Sequence, residues 1–237
     1  MQLHVAERII EYKMSDTLNY RAIIFDLDGT LLDTLADIGE AVNSALAEVN
    51  LPGYPIDVFR QFIGDGLKMT VTRALPETRR SDPFIQDRFE RTRAIYSERW
   101  NNKTRLYDGI SELLGSLRNL DVKMAVLSNK PHDFTLKCVA HYLNPWEFEA
   151  VIGMGNAFPP KPDPAGALEI ARRMGLPPGE VLFLGDSSTD MKTASAAGMF
   201  PVGAAWGFRG SAELVESGCR ELVHHPLDLM KLIQPAG

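Results

Sequence analysis

Three short apolar runs, each stopping at a polar loop, constrain this chain more than any other feature. Ala22-Ile23-Ile24-Phe25 ends in Asp26-Leu27-Asp28-Gly29, Val122 to Leu127 ends in Ser128-Asn129-Lys130, and Val181-Leu182-Phe183-Leu184 ends in Gly185-Asp186-Ser187. Continuous apolar runs without polar alternation fit strands buried on both faces. Shorter candidates lie at Val151-Ile152 and from Pro201 to Ala204. Helical spacing fills the intervals: Asp108 to Leu120 places Ile110, Leu113, Leu114 and Leu117 on one face, Pro164 to Met174 is a second helix, and Thr189 to Ala197 a third, closed by Gly198. Strands alternating with helices imply an α/β fold, a doubly wound parallel sheet covered on both sides.

The rhythm breaks between Thr34 and Thr104, where only helical patterns occur. Leu35, Ile38, Val42, Ala45, Leu46 and Val49 share one face, Leu67, Val71 and Leu75 another, and a third segment spans Phe84 to Trp100. An all-helical insert directly after the first strand reads as a cap domain, with connections near Leu31–Thr34 and Thr104–Asp108 serving as a paired hinge. The expected organisation is a lead over residues 1–20, an α/β core over 21–33 and 105–237, and a helical cap over 34–104. The histidines show no metal-ligand spacing, and His224-His225-Pro226 reads as a loop before a terminal helix.

With 237 residues, 45% of them hydrophobic and 24% charged, the chain can build one large domain and a smaller one. The net charge of −6, with Lys and Arg scattered, excludes the clustered basic footprint of a nucleic-acid binder. A small anionic ligand stays possible, because a bound cation can reverse the field inside one cleft. Cys138 and Cys219 are far apart and lack partners at metal-ligand spacing, which fits a reducing compartment rather than a disulfide framework. No apolar run is long enough for a membrane span, and Glu7, Arg8, Glu11 and Lys13 occupy the place where a signal peptide is apolar. A cytoplasmic protein without membrane or nucleic-acid partners is expected.

In an open parallel sheet, ligands bind beyond the carboxyl ends of the strands. That rule gathers Asp26, Asp28, Ser128, Asn129, Asp186 and Lys161 around one crevice. Asp26 and Asp28 are spaced so that one carboxylate can attack while the other faces the leaving group. A carboxylate attacks a phosphate dianion only when the repulsion is neutralised, and Mg²⁺, held by Asp26 and Asp186, would do so. Taken alone, Asp-Leu-Asp-Gly is equally well explained as an ordinary turn. Thr30 and Ser128 offer hydroxyls and Asn129 an amide to phosphoryl oxygens, while Lys161, stiffened by Pro160 and Pro162, offers one fixed positive charge. Asp190 has two readings of equal weight: an acid holding Lys161 or a metal-bound water, or one that stabilises the first turn of its helix.

Together, Asp26-Leu27-Asp28-Gly29-Thr30, Ser128-Asn129, Lys161-Pro162 and Gly185-Asp186-Ser187 with Asp190 resemble, in order, the four motifs of the haloacid dehalogenase-like (HAD) superfamily. The resemblance covers about residues 21–225, and the helical insert is similar to that superfamily's C1 cap. It implies that Asp26 is nucleophile and metal ligand, and that Asp28 is general acid/base with its backbone carbonyl on the metal. It also implies that Ser128 and Lys161 bind phosphate and that Asp186 completes a Mg²⁺ site. Within the superfamily, Phe25 to Leu31, Ser128-Asn129-Lys130-Pro131, and Ile63-Gly64-Asp65-Gly66 followed by Arg73-Ala74-Leu75 resemble phosphoglycolate phosphatases. Asp108-Gly109 departs from the Pro-Gly frequent there.

The expected activity is therefore hydrolysis of a small phosphorylated metabolite, 2-phosphoglycolate first. A sugar phosphate, nucleotide or pyrophosphate is the alternative, followed by a phosphosugar mutase and by a non-catalytic binding protein on the same fold. Gly64 and Gly66 bracket a cap loop expected to face the core, although ordinary turn glycines explain them as well. Arg60 and Lys68 flank that loop as candidate partners for a substrate carboxylate, with surface solvation as their plainer explanation.

Overall fold

A computed structural model describes residues 20–155 and 157–233. The expected lead falls outside the described residues except for Tyr20, which is buried and packs on Phe200. The first half of the chain runs β1 (Ala22–Phe25), β2 (Leu32–Asp33), α1 (Leu35–Ala47), α2 (Phe59–Phe62), α3 (Leu67–Ala74), α4 (Asp82–Arg99), β3 (Arg105–Leu106) and α5 (Ile110–Asn119). It continues through β4 (Lys123–Pro131), α6 (His132–Tyr142), β5 (Ala150–Met154), α7 (Ala165–Met174), β6 (Val181–Gly185), α8 (Ser188–Ala197), β7 (Phe200–Ala204), α9 (Ser211–Glu216) and β8 (Glu221–Val223).

The main sheet has the order β5-β4-β1-β6-β7-β8, and every pairing in it is parallel. β1 lies between β4 and β6, where the winding direction reverses, and its alternate side chains enter opposite cores. Ile23 and Phe25 join Ile110, Leu113, Leu114 and Leu117 of α5. Ala22 and Ile24 join Ala167 and Ile170 of α7 and Ala194 of α8. Such burial on both faces is why the strand reads as an uninterrupted apolar run, and each large side chain contributes about 1.5–3 kcal/mol.

Between β2 and β3 every described element is helical. Val42 and Leu46 of α1, Phe59 of α2, Val71 of α3 and Tyr96 of α4 form their own apolar cluster, which Phe134 of α6 and Phe208 join from the sheet side. β2 and β3 pair antiparallel, Leu32 with Leu106 and Asp33 with Arg105, so the helical stretch leaves and re-enters the core through adjacent strands. Buried Asp37 fastens the return: its carboxylate accepts from the Lys103 and Thr104 backbone N–H groups at 2.9–3.0 Å and from the Thr104 hydroxyl at 2.7 Å.

Several local expectations change. β4 continues through Ser128 to Pro131 instead of stopping at Leu127, with a register shift against β5 between Leu127 and Pro131. α5 begins at Ile110 because Gly109, at φ +86°, is left-handed. The expected terminal helix is a 3₁₀ segment, Pro226–Leu232, capped by His225. The paired β2 and β3, together with α6, α9 and β8, lack periodicity strong enough to be read from sequence. No helix of the described residues is long and apolar enough to cross a membrane.

Candidate active site

Parallel pairing brings the ends of β1 and β6 side by side, and the Asp26 N–H extends that ladder to the Leu184 carbonyl at 2.9 Å. Asp26, Asp186 and Asp190 then face one another, with one ligand oxygen of each within 4.8 Å of the others, and all three are buried. Lys161, from the loop after β5, points into the same cluster. Its Nζ lies 2.9 Å from Asp26 Oδ1 and 2.5 Å from Asp190 Oδ1.

Each member is held by its own scaffold. Asp186 accepts from the Phe208 N–H at 2.6 Å and from the Thr30 hydroxyl at 3.3 Å. Gly29 makes room for it: at φ +89°, a Cβ there would lie 2.3 Å from Asp186 Oδ2. Trp206 Nε1 donates to the Thr30 carbonyl at 3.0 Å, tying the loop after β7 to the loop after β1. Asp190 combines its two readings, since Oδ1 takes Lys161 while Oδ2 accepts the Ser187 N–H and hydroxyl in a capping box at the start of α8.

Burial pushes the Asp26 carboxyl up to about 7 against the pull of Lys161, with Asp190 adding to the rise. Burial, then Asp190 and Asp26, hold Asp186 far above the carboxylate range. For Lys161, burial favours the neutral amine, but Asp190 and Asp26 outweigh it and keep the ammonium charged. Three buried carboxylates thus surround one ammonium, leaving a negative surplus that either a proton or a cation must offset. Hard oxygen donors with surplus charge fit a divalent cation, which Asp26, Asp186 and Asp190 could hold.

A second charged pair borders this cluster. Lys130 Nζ lies 2.8 and 3.1 Å from the two oxygens of Asp28 and 5.0 Å from the centroid of the Tyr96 ring. Together with Asp26, Ser128, Asn129, Gly64, Gly66, Thr70 and Phe134, these residues line a small cavity between the sheet and the helical stretch. Ser128 presents its hydroxyl there, its oxygen accepting the Lys130 N–H at 3.3 Å.

The loop between α2 and α3 closes the cavity. Asn129 Nδ2 donates to the Gly64 carbonyl at 3.2 Å, Arg209 to the Ile63 carbonyl at 2.9 Å, and the Thr189 hydroxyl to Asp65 at 3.0 Å. Gly66, at φ +89°, passes so near the sheet that a Cβ would lie 2.6 Å from Met154 Cε and 3.1 Å from the Asn129 carbonyl. Asp65 also pairs with Arg73. Burial raises its carboxyl, but Arg73 and Thr189 outweigh that and hold it below its ordinary value.

Four expected ligand contacts take other forms. Thr30 is fully buried and its hydroxyl serves Asp186 instead of the cavity. The Asn129 amide is spent bracing Lys161, accepting its N–H at 2.8 Å and donating to its carbonyl at 3.0 Å, while its remaining donor reaches Gly64. Arg60 does not line the cavity but reaches the Gly207 carbonyl, beside Asp186, at 3.2 Å, and Lys68 lies on the surface against Gln86 at 2.8 Å. The cation lining the cavity is Lys130, adjacent in sequence to Ser128-Asn129 and passed over as part of a motif. Gly207-Phe208, immediately beyond β7, follows the same strand-end rule as the other loops and could have been found by it. Tyr96 carried no sequence signal beyond its place on a helical face.

The model of the family described as haloacid dehalogenase-like hydrolase matches residues 23–204. The chain is 34% identical to a phosphoglycolate phosphatase of Haemophilus influenzae over 84% of its own length and 91% of that protein's. It is 32% identical to phosphoglycolate phosphatase 1 of Pseudomonas aeruginosa, over 89% and 78% respectively. A crystal structure described as a predicted phosphoglycolate phosphatase, from Haemophilus somnus, superposes with a TM-score of 0.83 at 28% identity, covering 91% of this chain and 98% of that one. Ordered motifs, strand order and relatives agree, and the chain belongs to the haloacid dehalogenase-like hydrolase family.

Proposed function

We propose that the protein is a Mg²⁺-dependent phosphomonoesterase of the cytoplasm that works through an aspartyl phosphate on Asp26 and acts on 2-phosphoglycolate. The observation that carries this reading is the buried group of Asp26, Asp186 and Asp190 around Lys161, at the end of the central strand and open to a small cavity. Relatives over most of the chain bear the name phosphoglycolate phosphatase. Residues 34–104 serve as a cap, and the loop from Ile63 to Gly66 excludes bulk water while it is docked.

Asp26, Asp186 and the Asp28 carbonyl would hold Mg²⁺, which would supply the positive charge that lets two anions approach. Asp26 attacks phosphorus through a carboxylate oxygen, and the bond from phosphorus to the leaving oxygen breaks. Lys161 and the Ser128 hydroxyl stabilise the phosphoryl oxygens. Asp28, in its acid form, gives its proton to the leaving alkoxide and then takes one from water. The resulting hydroxide attacks phosphorus, releasing inorganic phosphate and restoring the Asp26 carboxylate.

A panel of phosphate esters, assayed with Mg²⁺ and with chelator, tests this directly. Metal-dependent turnover favouring 2-phosphoglycolate is expected. Undiminished turnover in chelator would refute the mechanism, whereas preference for a sugar phosphate, a nucleotide or pyrophosphate would replace only the substrate.

A further inference from the structure

Lys130 and Tyr96 have no part in the phosphoryl transfer described above, yet both are buried at the cavity. Lys130 is 5% exposed and is the one cationic side chain among the described residues lining that cavity. Its present partner is Asp28, the residue that must turn to the leaving oxygen. Tyr96, on α4, is 1% exposed, and its hydroxyl is buried without a hydrogen bond of good geometry, although Lys130 lies near enough for its charge to act on the phenol. Lys130 can only donate to the phenol oxygen, so the phenol O–H has no acceptor among the described residues, and a carboxylate bound beside Lys130 would supply one.

We propose that Lys130, from the sheet, and Tyr96, from the helical stretch, form the specificity site for the leaving group and bind a carboxylate whose carbon lies two or three bonds from the ester oxygen. The inference rests on the phosphatase reading and deepens it. Lys161 sits with Asp26, and Lys130 sits with Asp28, so two separate cations face the two ends of a short substrate with an anion at each end. A carboxylate arriving at Lys130 takes the place of the Asp28 carboxylate and leaves Asp28 free to reach the leaving oxygen. Substrate binding and positioning of the acid are thereby one exchange of partners. Tyr96 contributes only when α4 is packed against the sheet, so the carboxylate is fully held only in the closed enzyme. Arg60 and Lys68, engaged elsewhere, are not needed for it.

The test compares 2-phosphoglycolate with 2-hydroxyethyl phosphate, an ester of similar size without the carboxylate, using the Mg²⁺-loaded enzyme. The measured quantity is the ratio of kcat/KM for the acid to that for the neutral ester. In Lys130→Met this ratio should fall by about 100-fold, as expected for the loss of a buried charge partner. In Tyr96→Phe, which removes only one oxygen and keeps the packing, it should fall by about tenfold, mainly through KM. A structural or purely acid-orienting role would lower both substrates alike and leave the ratio unchanged, which would overturn the assignment. If Lys130→Met does not fold, the Tyr96→Phe ratio decides alone. Equal turnover of both esters by the unmodified enzyme would remove the carboxylate site while leaving the phosphatase reading intact, and turnover of neither would remove both.

Discussion

Asp26 and Asp65 are the same residue type in neighbouring regions, and their surroundings displace them in opposite directions. Asp26 shares its buried site with Asp186 and Asp190 and one lysine, and its carboxyl rises to about 7. Asp65 lies at the seam between the helical stretch and the sheet, where Arg73 and Thr189 outweigh its partial burial and its carboxyl falls. Surplus charge in the crevice calls for a cation and makes the crevice weak without one. Matched charge at the seam needs no cofactor: Arg73, from the same helical stretch, balances Asp65, and the Thr189 hydroxyl donates to Asp65 from the sheet side.

The difference is broken most severely at Asp26. Asp26→Asn keeps the shape but removes both the attacking oxygen and one unit of the negative surplus. Turnover of any phosphate ester should fall by about four orders of magnitude or more, since removing a covalent nucleophile has effects of that scale. The metal-free variant should melt no lower than the parent, because the lost charge was uncompensated. Near-native turnover by the purified variant would refute the nucleophile assignment.

Next in size is the linked dependence on pH and Mg²⁺. A carboxyl raised in the folded state holds its proton more tightly there than in the unfolded chain. For Asp26 the associated stabilisation is complete below the ordinary value of 3.8 and is lost as pH rises through about 7. Asp186, also raised, acts in the same direction. Melting of metal-free protein should therefore fall in temperature across that interval. Saturating Mg²⁺ should oppose the fall, adding about 2.7 kcal/mol at a hundredfold excess over its dissociation constant. A metal-free melting temperature that rises steadily from pH 5 to 7.5 would contradict the surplus-charge account.

These regions differ as much in how far sequence revealed them. Asp26, Ser128, Lys161 and Asp186 each follow a strand whose apolar run is unmistakable, and strand ends in a parallel sheet meet by construction. What those runs do not encode is the use of each side chain once the loops meet. Thr30 and Asn129 could reach ligand or scaffold with the same polar groups, and only their contacts with Asp186, Lys161 and Gly64 show the scaffold role. The seam was hidden for a further reason. It is made by single residues on separate loops and helices, such as Asp65, Arg209 and Tyr96, whose partners are distant in sequence and follow no period. Arg60 and Lys68 lie beside the glycine loop, but a helix directs its side chains by face, and neither lines the cavity: Arg60 reaches Gly207 and Lys68 reaches Gln86.

The smallest expected effect belongs to the seam itself. Asp65→Asn keeps a side chain able to meet Thr189 but loses the charge that Arg73 and Arg209 favour. Since Asp65 and Arg73 are each about one-third exposed (35% and 33%), solvent screening limits the loss of stability to about 1 kcal/mol or less. A loosened loop should raise KM roughly two- to fivefold while kcat changes little, the signature of a closing contact outside the reacting atoms. The pH sign is opposite to that of the crevice. A carboxyl lowered in the folded state stabilises above its ordinary value of 3.8 and loses that contribution as pH falls through the lowered value, so parent and variant should converge in acid. High salt should narrow the gap at neutral pH, because this pair is open to screening whereas the buried acids around Lys161 are not. A collapse of kcat in Asp65→Asn would move Asp65 into the chemistry, and an unchanged KM at low salt would show that the loop is held by its backbone hydrogen bonds from Asn129 and Arg209 alone.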